Sequence, residues 1–310
     1  MEPQTPKPIE RHGIRRGIYV LPSLFTVGTL VCGYYAILST QRAGQYLAAS
    51  AAAALAAKAA DLSSSVAAAL TSKAAELSAL ATIAFDNASK ALGWAIVADG
   101  LDGRIARMTN TASPFGRELD SLADVVTFGV APAVLAYVWG VRAIVEPSGT
   151  PQVTQIIHAT PWILTFLYVI CGAARLARFN IDTVKPASDR RFFVGMPIPA
   201  GAGFVAAFVH FYKQPITTWQ ISAAWLVMIG FLGFLMVSRM RYYSFKVFDL
   251  HKRRSYLVII VIGLIIGGIW FFSEQVLMAL AITYTISGIV LRIVSKIRPH
   301  PPQPEEVHAA

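Results

Sequence analysis

The chain has 310 residues, of which 55% are hydrophobic and 14% charged, with a mean hydropathy of +0.55 and a formal net charge of +10. A soluble domain carries about 25% charged residues, so this composition excludes an ordinary soluble globular protein and indicates an integral membrane one. The positive charge does not argue for nucleic acid, because Lys and Arg collect at the ends of apolar segments.

In chain order, Met1 to Gly17 is Pro-rich and then basic, through Arg11, Arg15 and Arg16. The apolar segment that follows has no small-x-small cleavage site and reads as a retained first helix. Hydropathy and spacing predict eight membrane helices, at 19–40, 82–108, 118–141, 160–181, 197–213, 220–238, 255–272 and 275–294. Between the first two lies an Ala-rich stretch, 43–90, with no Gly or Pro after Gly44. Its Leu47, Leu55, Leu62, Leu70 and Leu77 recur every seven or eight residues, which keeps a thin apolar stripe on one helix face. One continuous helix there would be on the order of 70 Å long. A helical hairpin bending near Asp61–Ser65 is therefore expected, inserted as a packing or dimerisation element. The tail from Arg298 is Pro-rich and expected to be disordered. The predicted organisation is a basic segment at 1–17, a transmembrane catalytic domain at 18–294 and a tail at 295–310. Cys32 and Cys171 lie inside apolar segments and, like the six scattered histidines, lack metal or disulfide spacing, so they read as packing residues.

If the N-terminus is cytoplasmic and every predicted helix crosses, 21 Lys and Arg residues lie on the inner side and six on the outer side. The positive-inside rule then places both termini inside.

Four aspartates stand out from this apolar background. They read Asp99-x-x-Asp102-Gly103-x-x-Ala106-Arg107, then Gly116-x-x-x-Asp120-x-x-x-Asp124. Spacings of three and four place each pair on one helix face. Ionised acids are costly at membrane depth, so such a cluster is a functional site by default. Four carboxylates aimed at one point need a divalent cation, and oxygen ligands suit Mg²⁺, Mn²⁺ or Ca²⁺. The turn at Thr109–Pro114 is expected to join the two helices at the cytoplasmic face.

This pattern resembles the signature of the CDP-alcohol phosphatidyltransferase family, with eight fixed residues over twenty-six positions all matched. Three further segments resemble its phosphatidylserine synthase branch: Arg16 to Thr26, Ala174 to Asn180, and Phe193-x-Gly195-Met196-Pro197-x-Pro199-Ala200. The resemblance implies an all-α integral membrane bundle and transfer of a phosphatidyl group from CDP-diacylglycerol to the hydroxyl of L-serine, releasing CMP. It implies Asp99, Asp102, Asp120 and Asp124 as metal ligands for Mg²⁺ or Mn²⁺, with Ca²⁺ as a bound substitute. Asp124 and Asp120 are the catalytic candidates, Asp124 combining metal binding with general-base duty. Asp102, Gly103, Ala106, Arg107 and Gly116 are the implied CDP and phosphate contacts. Arg175, Arg178 and Asn180 are candidates for holding serine, with Arg190 and Arg191 weaker ones. Arg239, Arg241, Lys246, Lys252, Arg253 and Arg254 are expected to meet anionic lipid headgroups. A homodimer in the cell membrane, with a cytoplasmic active site and no nucleic-acid partner, completes the expectation. Glycerol-3-phosphate, inositol phosphate or an ether-lipid donor would use the same chemistry. A transporter or a scaffold would be the non-enzyme alternatives; no second copy of the aspartate motif supports the former.

Overall fold

The computed structural model describes residues 13–58, 64–109, 114–141, 151–182, 192–243 and 255–297. Eight α-helices account for nearly all of it: α1 Gly13–Ala57, α2 Ser64–Thr109, α3 Pro114–Asp124, α4 Ala131–Gly140, α5 Pro151–Asp182, α6 Ile198–Tyr212, α7 Trp219–Val237 and α8 Ser255–Ile297. A π-helical turn, Val125–Val130, links α3 directly to α4. Two short strands, β1 Phe192–Val194 and β2 Arg241–Tyr243, pair antiparallel, with Phe193 opposite Tyr242.

Among the described residues, six helices are long and apolar enough to cross a membrane: Leu24–Ala57, Ser64–Ile105, Phe115–Gly140, Thr160–Ile181, Trp219–Val237 and Ile260–Val294. The protein is a nearly all-helical integral membrane protein, but length and composition do not return the expected count of eight. Ile198–Tyr212 is apolar yet shorter. The predicted seventh and eighth helices are two halves of α8, interrupted at Phe272 by non-helical angles (φ −137°, ψ 50°). A Cβ added at Gly268 would lie 3.2 Å from Val276 Cγ2. A straight helix separates residues eight apart by about 12 Å, so the chain folds back sharply at Phe272.

The Ala-rich stretch is not a separate insert. It is the far half of α1 and the near half of α2, which run unbroken into their membrane portions. The expected bend at Asp61–Ser65 falls where α1 ends and α2 begins; residues 59–63 lie outside the described residues. The leucine stripe is only partly buried: Leu47 is buried, Leu70 and Leu77 are half-buried and Leu55 is 73% exposed, while Ala43, Ala74, Ala81, Ala84 and Ala88 are buried. Small side chains let the two backbones approach closely, close enough for Ser50 Oγ to donate to Ala74 O at 2.8 Å.

The core runs through α1, α2, α4, α6 and α7, with Tyr168 of α5. Trp139 and Trp225 meet edge to face at 5.3 Å, and their indole N–H groups donate to Lys213 O and Ala136 O. A polar clasp sits near the same end. His210 on α6 bridges Asp86 of α2, through Nδ1 at 2.5 Å, and Ser273 of α8, through Nε2 at 3.0 Å. Asp86 also pairs with Lys90 at 2.7 Å, and Lys213 pairs with Glu274. Asp86 precedes Asp99 by thirteen residues, which is about 20 Å along α2. The clasp and the aspartate motif therefore mark opposite ends of the bundle.

The basic segment 1–12, the tail 298–310, Arg190, Arg191, Lys246 and Lys252 to Arg254 lie outside the described residues. The Cys32 and Cys171 thiols are free and half-buried, in keeping with packing.

Candidate active site

The aspartates converge from two consecutive helices. Asp99 and Asp102 come from the end of α2, Asp120 and Asp124 from α3. Asp99, Asp120 and Asp124 each bring a carboxylate oxygen to within 4.8 Å of the other two. Helix period explains the pairing within α3, since residues four apart stack on one face. The chain then leaves α3 through the π-turn, a form that concentrates at functional sites. Its wider loop reorients the chain after Asp124, and Thr127 within it is fully buried and donates to Thr29 O of α1 at 3.2 Å.

Asp124 is only 9% exposed, and its Oδ1 has no hydrogen-bond partner among the described residues. An unpaired buried carboxylate oxygen is costly. Three clustered carboxylates add mutual repulsion. A divalent cation removes both penalties, and an all-oxygen donor set is what hard cations take. The residues present therefore fit a divalent metal site.

Asp102 is placed differently from the other three. It is buried, and its Oδ2 accepts a hydrogen bond from Thr26 Oγ1 of α1. Thr26 is the site neighbour that motif reasoning missed. Its signal was present, since it is a polar residue inside an apolar helix at the end of the Arg16 to Thr26 segment.

Gly103 is exposed and Gly116 half-buried; the side chains of Ala106 and Arg107 lie outside the described residues. The three acceptor candidates separate. Arg175 is buried, its guanidinium lies 5.5 Å from the Phe179 ring centroid, and Asp124 is within range of its charge. Arg178 is exposed and donates to Val237 O at 3.2 Å. α5 turns Arg175 inward and Arg178 outward. Asn180 Nδ2 donates to Ser121 Oγ at 2.9 Å, beside Asp120, and so ties α5 to α3.

A membrane-embedded carboxylate cluster with a buried arginine beside it suits chemistry on an anionic phosphate ester. Residues 67–232 match the family model of CDP-alcohol phosphatidyltransferase. The chain belongs to this family. A Helicobacter pylori protein (strain ATCC 700392 / 26695) named CDP-diacylglycerol–serine O-phosphatidyltransferase is 41% identical over 177 residues, covering 56% of this chain and 68% of that protein. A Methanocaldococcus jannaschii protein of the same name is 35% identical over 206 residues, covering 66% and 83%. One from Bacillus subtilis (strain 168) is 38% identical over 153 residues, covering 48% and 70%. The protein is thus a membrane-bound transferase of the CDP-alcohol phosphatidyltransferase family, with all four signature aspartates inside the matched region. Thr26 reaches the site from outside that region.

Proposed function

We propose that this transferase moves a phosphatidyl group from CDP-diacylglycerol to the hydroxyl of L-serine, giving phosphatidylserine and CMP. The observation that carries the reading is the convergence of Asp99, Asp120 and Asp124 from two successive helices onto one point. The names of the relatives support the choice of serine over other alcohols.

In the reaction, the serine Oγ–P bond forms and the bond from phosphorus to the CMP oxygen breaks. Asp99, Asp120 and Asp124, with Asp102 beside them, would hold Mg²⁺ or Mn²⁺. A divalent ion bound there supplies charge neutralisation on the diphosphate. The chain's own groups do the rest. Thr26 fixes the Asp102 carboxylate, and the π-turn seats Asp124 against Thr127 and α1. Asp124 accepts the serine hydroxyl proton; its unpartnered Oδ1 supports that role, because a base must have a free lone pair within reach of the proton. Arg175 places positive charge beside the acidic cluster, where an anionic acceptor or phosphate gains from it. The lipid chains lie against the apolar helix faces, and the reaction proceeds at the cytoplasmic surface. The split of 21 inner to six outer Lys and Arg residues supports that orientation.

The test is CMP release by the purified protein with CDP-diacylglycerol and Mn²⁺ or Mg²⁺, offering serine, glycerol-3-phosphate and inositol phosphate in parallel. Serine-dependent release, abolished by EDTA, restored by either cation and lost in Asp124→Asn, is the expected result. Release with a different acceptor would keep the chemistry and overturn serine. No release with any acceptor would overturn both.

A further inference from the structure

At the end of the bundle away from the acidic cluster, α2, α6 and α8 bring together a second set of reactive side chains. Asp86, His210 and Ser273 are joined by two hydrogen bonds in series. His210 Nδ1 lies 2.5 Å from Asp86 Oδ1, and His210 Nε2 lies 3.0 Å from Ser273 Oγ. An ionised carboxylate only accepts hydrogen bonds. In the neutral imidazole, Asp86 therefore holds the proton on Nδ1 and leaves Nε2 as the acceptor facing the Ser273 hydroxyl. Lys90 Nζ, 2.7 Å from Asp86 Oδ2, favours the ionised carboxylate.

A clasp that only joined helices would be served equally well by either ring nitrogen on either partner. The order found here is the one in which an acid orients an imidazole and the imidazole takes a proton from a hydroxyl. Burial suits that task, since His210 is buried while Ser273 is only half-buried and its oxygen can be reached. Ser273 also opens the second half of α8, directly after the non-helical Phe272. A nucleophile on a sharp turn that starts a helix stands clear of the chain, beside backbone N–H groups that lack intrahelical acceptors. Irregular backbone in a membrane protein is kept to the surface or to a wet cavity. The connection from α6 to α7 begins at Lys213, which pairs with Glu274 beside the break in α8, so water can reach this end. Trp270, Phe271 and Phe272 are exposed and offer an apolar surface for an acyl chain. The neighbouring charges cancel in pairs, Lys90 with Asp86 and Lys213 with Glu274, which favours an uncharged reacting group.

We propose that Ser273, His210 and Asp86 form a second active site, which hydrolyses the carboxylic ester of a lipid acyl chain. Ser273 Oγ bonds the ester carbonyl carbon while His210 Nε2 takes the hydroxyl proton. The bond from that carbon to the alcohol oxygen then breaks, and His210 passes the proton to the leaving alcohol. Water, deprotonated by His210 in the same way, cleaves the acyl-serine, releases the fatty acid and restores the hydroxyl. Ser273 and His210 touch the reacting atoms, and Asp86 is a positioning residue acting through His210. The site lies about 20 Å along α2 from Asp99 and does not depend on the identity of the phosphatidyl acceptor.

The experiment treats the purified full chain in detergent with an alkyl fluorophosphonate, in which an activated serine oxygen displaces fluoride from phosphorus. Peptide mass spectrometry maps the modified residue, and hydrolysis of p-nitrophenyl octanoate is followed in parallel. The expected result is modification of Ser273, with ester hydrolysis lost in step with it. Ser273→Ala should lose both. Asp86→Asn should slow both by on the order of 100-fold, because an amide holds the imidazole in the wrong tautomer, at a temperature where melting shows the variant folded. A merely structural Asp86 would leave the labelling rate of folded protein unchanged. Asp124→Asn should label like wild type, which keeps the result separate from phosphatidyl transfer. No modification at Ser273, equal rates in wild type and Asp86→Asn, or modification without ester hydrolysis would each overturn the proposal.

Discussion

Gly33 offers a direct way to couple helix packing to chemistry. It lies on α1 against the π-turn that follows Asp124. A Cβ added there would sit 2.5 Å from Thr127 Oγ1, 2.8 Å from Thr127 Cα and 2.9 Å from its Cβ. The first contact is about 0.9 Å closer than ordinary 3.4 Å contact, and the second involves backbone, so no rotamer change relieves it. Either α1 or the turn must move. Overpacking of this kind costs about 1–3 kcal/mol, against which alanine returns roughly 0.5–1 kcal/mol of helix propensity over glycine. Gly33→Ala is therefore expected to lower the thermal midpoint in detergent. Because Thr127 is only three residues from Asp124, the shift passes to the carboxylate, and a misplacement of about 1 Å can cost on the order of 100-fold in rate. Gly28→Ala is the control, since nothing lies within 4 Å of its added Cβ on the same helix. It should keep full activity and equal or better stability. Equal behaviour of the two variants, in both melting and CMP release, would refute the argument that close contact of α1 with the π-turn sets the position of Asp124.

Other outcomes follow from the same coordinates. Arg175→Lys should raise the serine KM, because a buried planar guanidinium is not replaced by an ammonium, whereas Arg178→Lys should leave it unchanged, because Arg178 is exposed and bound to a carbonyl; parallel saturation curves check both. Thr26→Val removes the hydroxyl that holds Asp102 and is expected to slow CMP release and to lower the melting midpoint, by about 1.5 kcal/mol for a hydrogen bond to a charged group. His210→Ala breaks the clasp joining α2, α6 and α8, and thermal melting should show about 1–3 kcal/mol lost. Gly140→Ala would place a Cβ 2.1 Å from the Trp225 ring, and a lowered melting midpoint of similar size is expected.

The aspartate motif was legible because its spacing is a helix period and its charge is out of place in an apolar chain. Three of the four carboxylates meet as the pattern required. What the period could not convey was the π-turn. A one-residue change in winding after Asp124 leaves no mark on hydrophobic spacing, yet it carries Thr127 onto α1. The arginine pair separates for a related reason. Residues three apart are about 60° apart around a helix, and at the edge of a packed face that angle divides a buried guanidinium from an exposed one. The leucine stripe marked only part of the contact, because it measured hydrophobicity, while close approach of α1 and α2 also depends on the size of their residues. Alanine wins wherever two long helices must approach closely.

The polar clasp was outside the reach of local reasoning altogether. Asp86, His210 and Ser273 are separated by more than sixty residues at each step, and in the sequence Asp86 merely weakened the case for a second membrane helix. Folded, it does the opposite. Removing any one member leaves a largely buried polar group without its partner, so the three residues hold their helices in one register. That register bears on the active site, because α2 carries Asp99 and Asp102 at its other end. A polar residue that interrupts an apolar segment is thus informative in two ways: at the end near Asp99 it marks chemistry, and about 20 Å away it marks the joint that keeps the chemistry aligned. Double-mutant cycles between Asp86→Asn and Ser273→Ala separate this from independent surface effects. Coupling through His210 requires the two losses in stability to be non-additive, and strict additivity would mean that the clasp does not act as one unit.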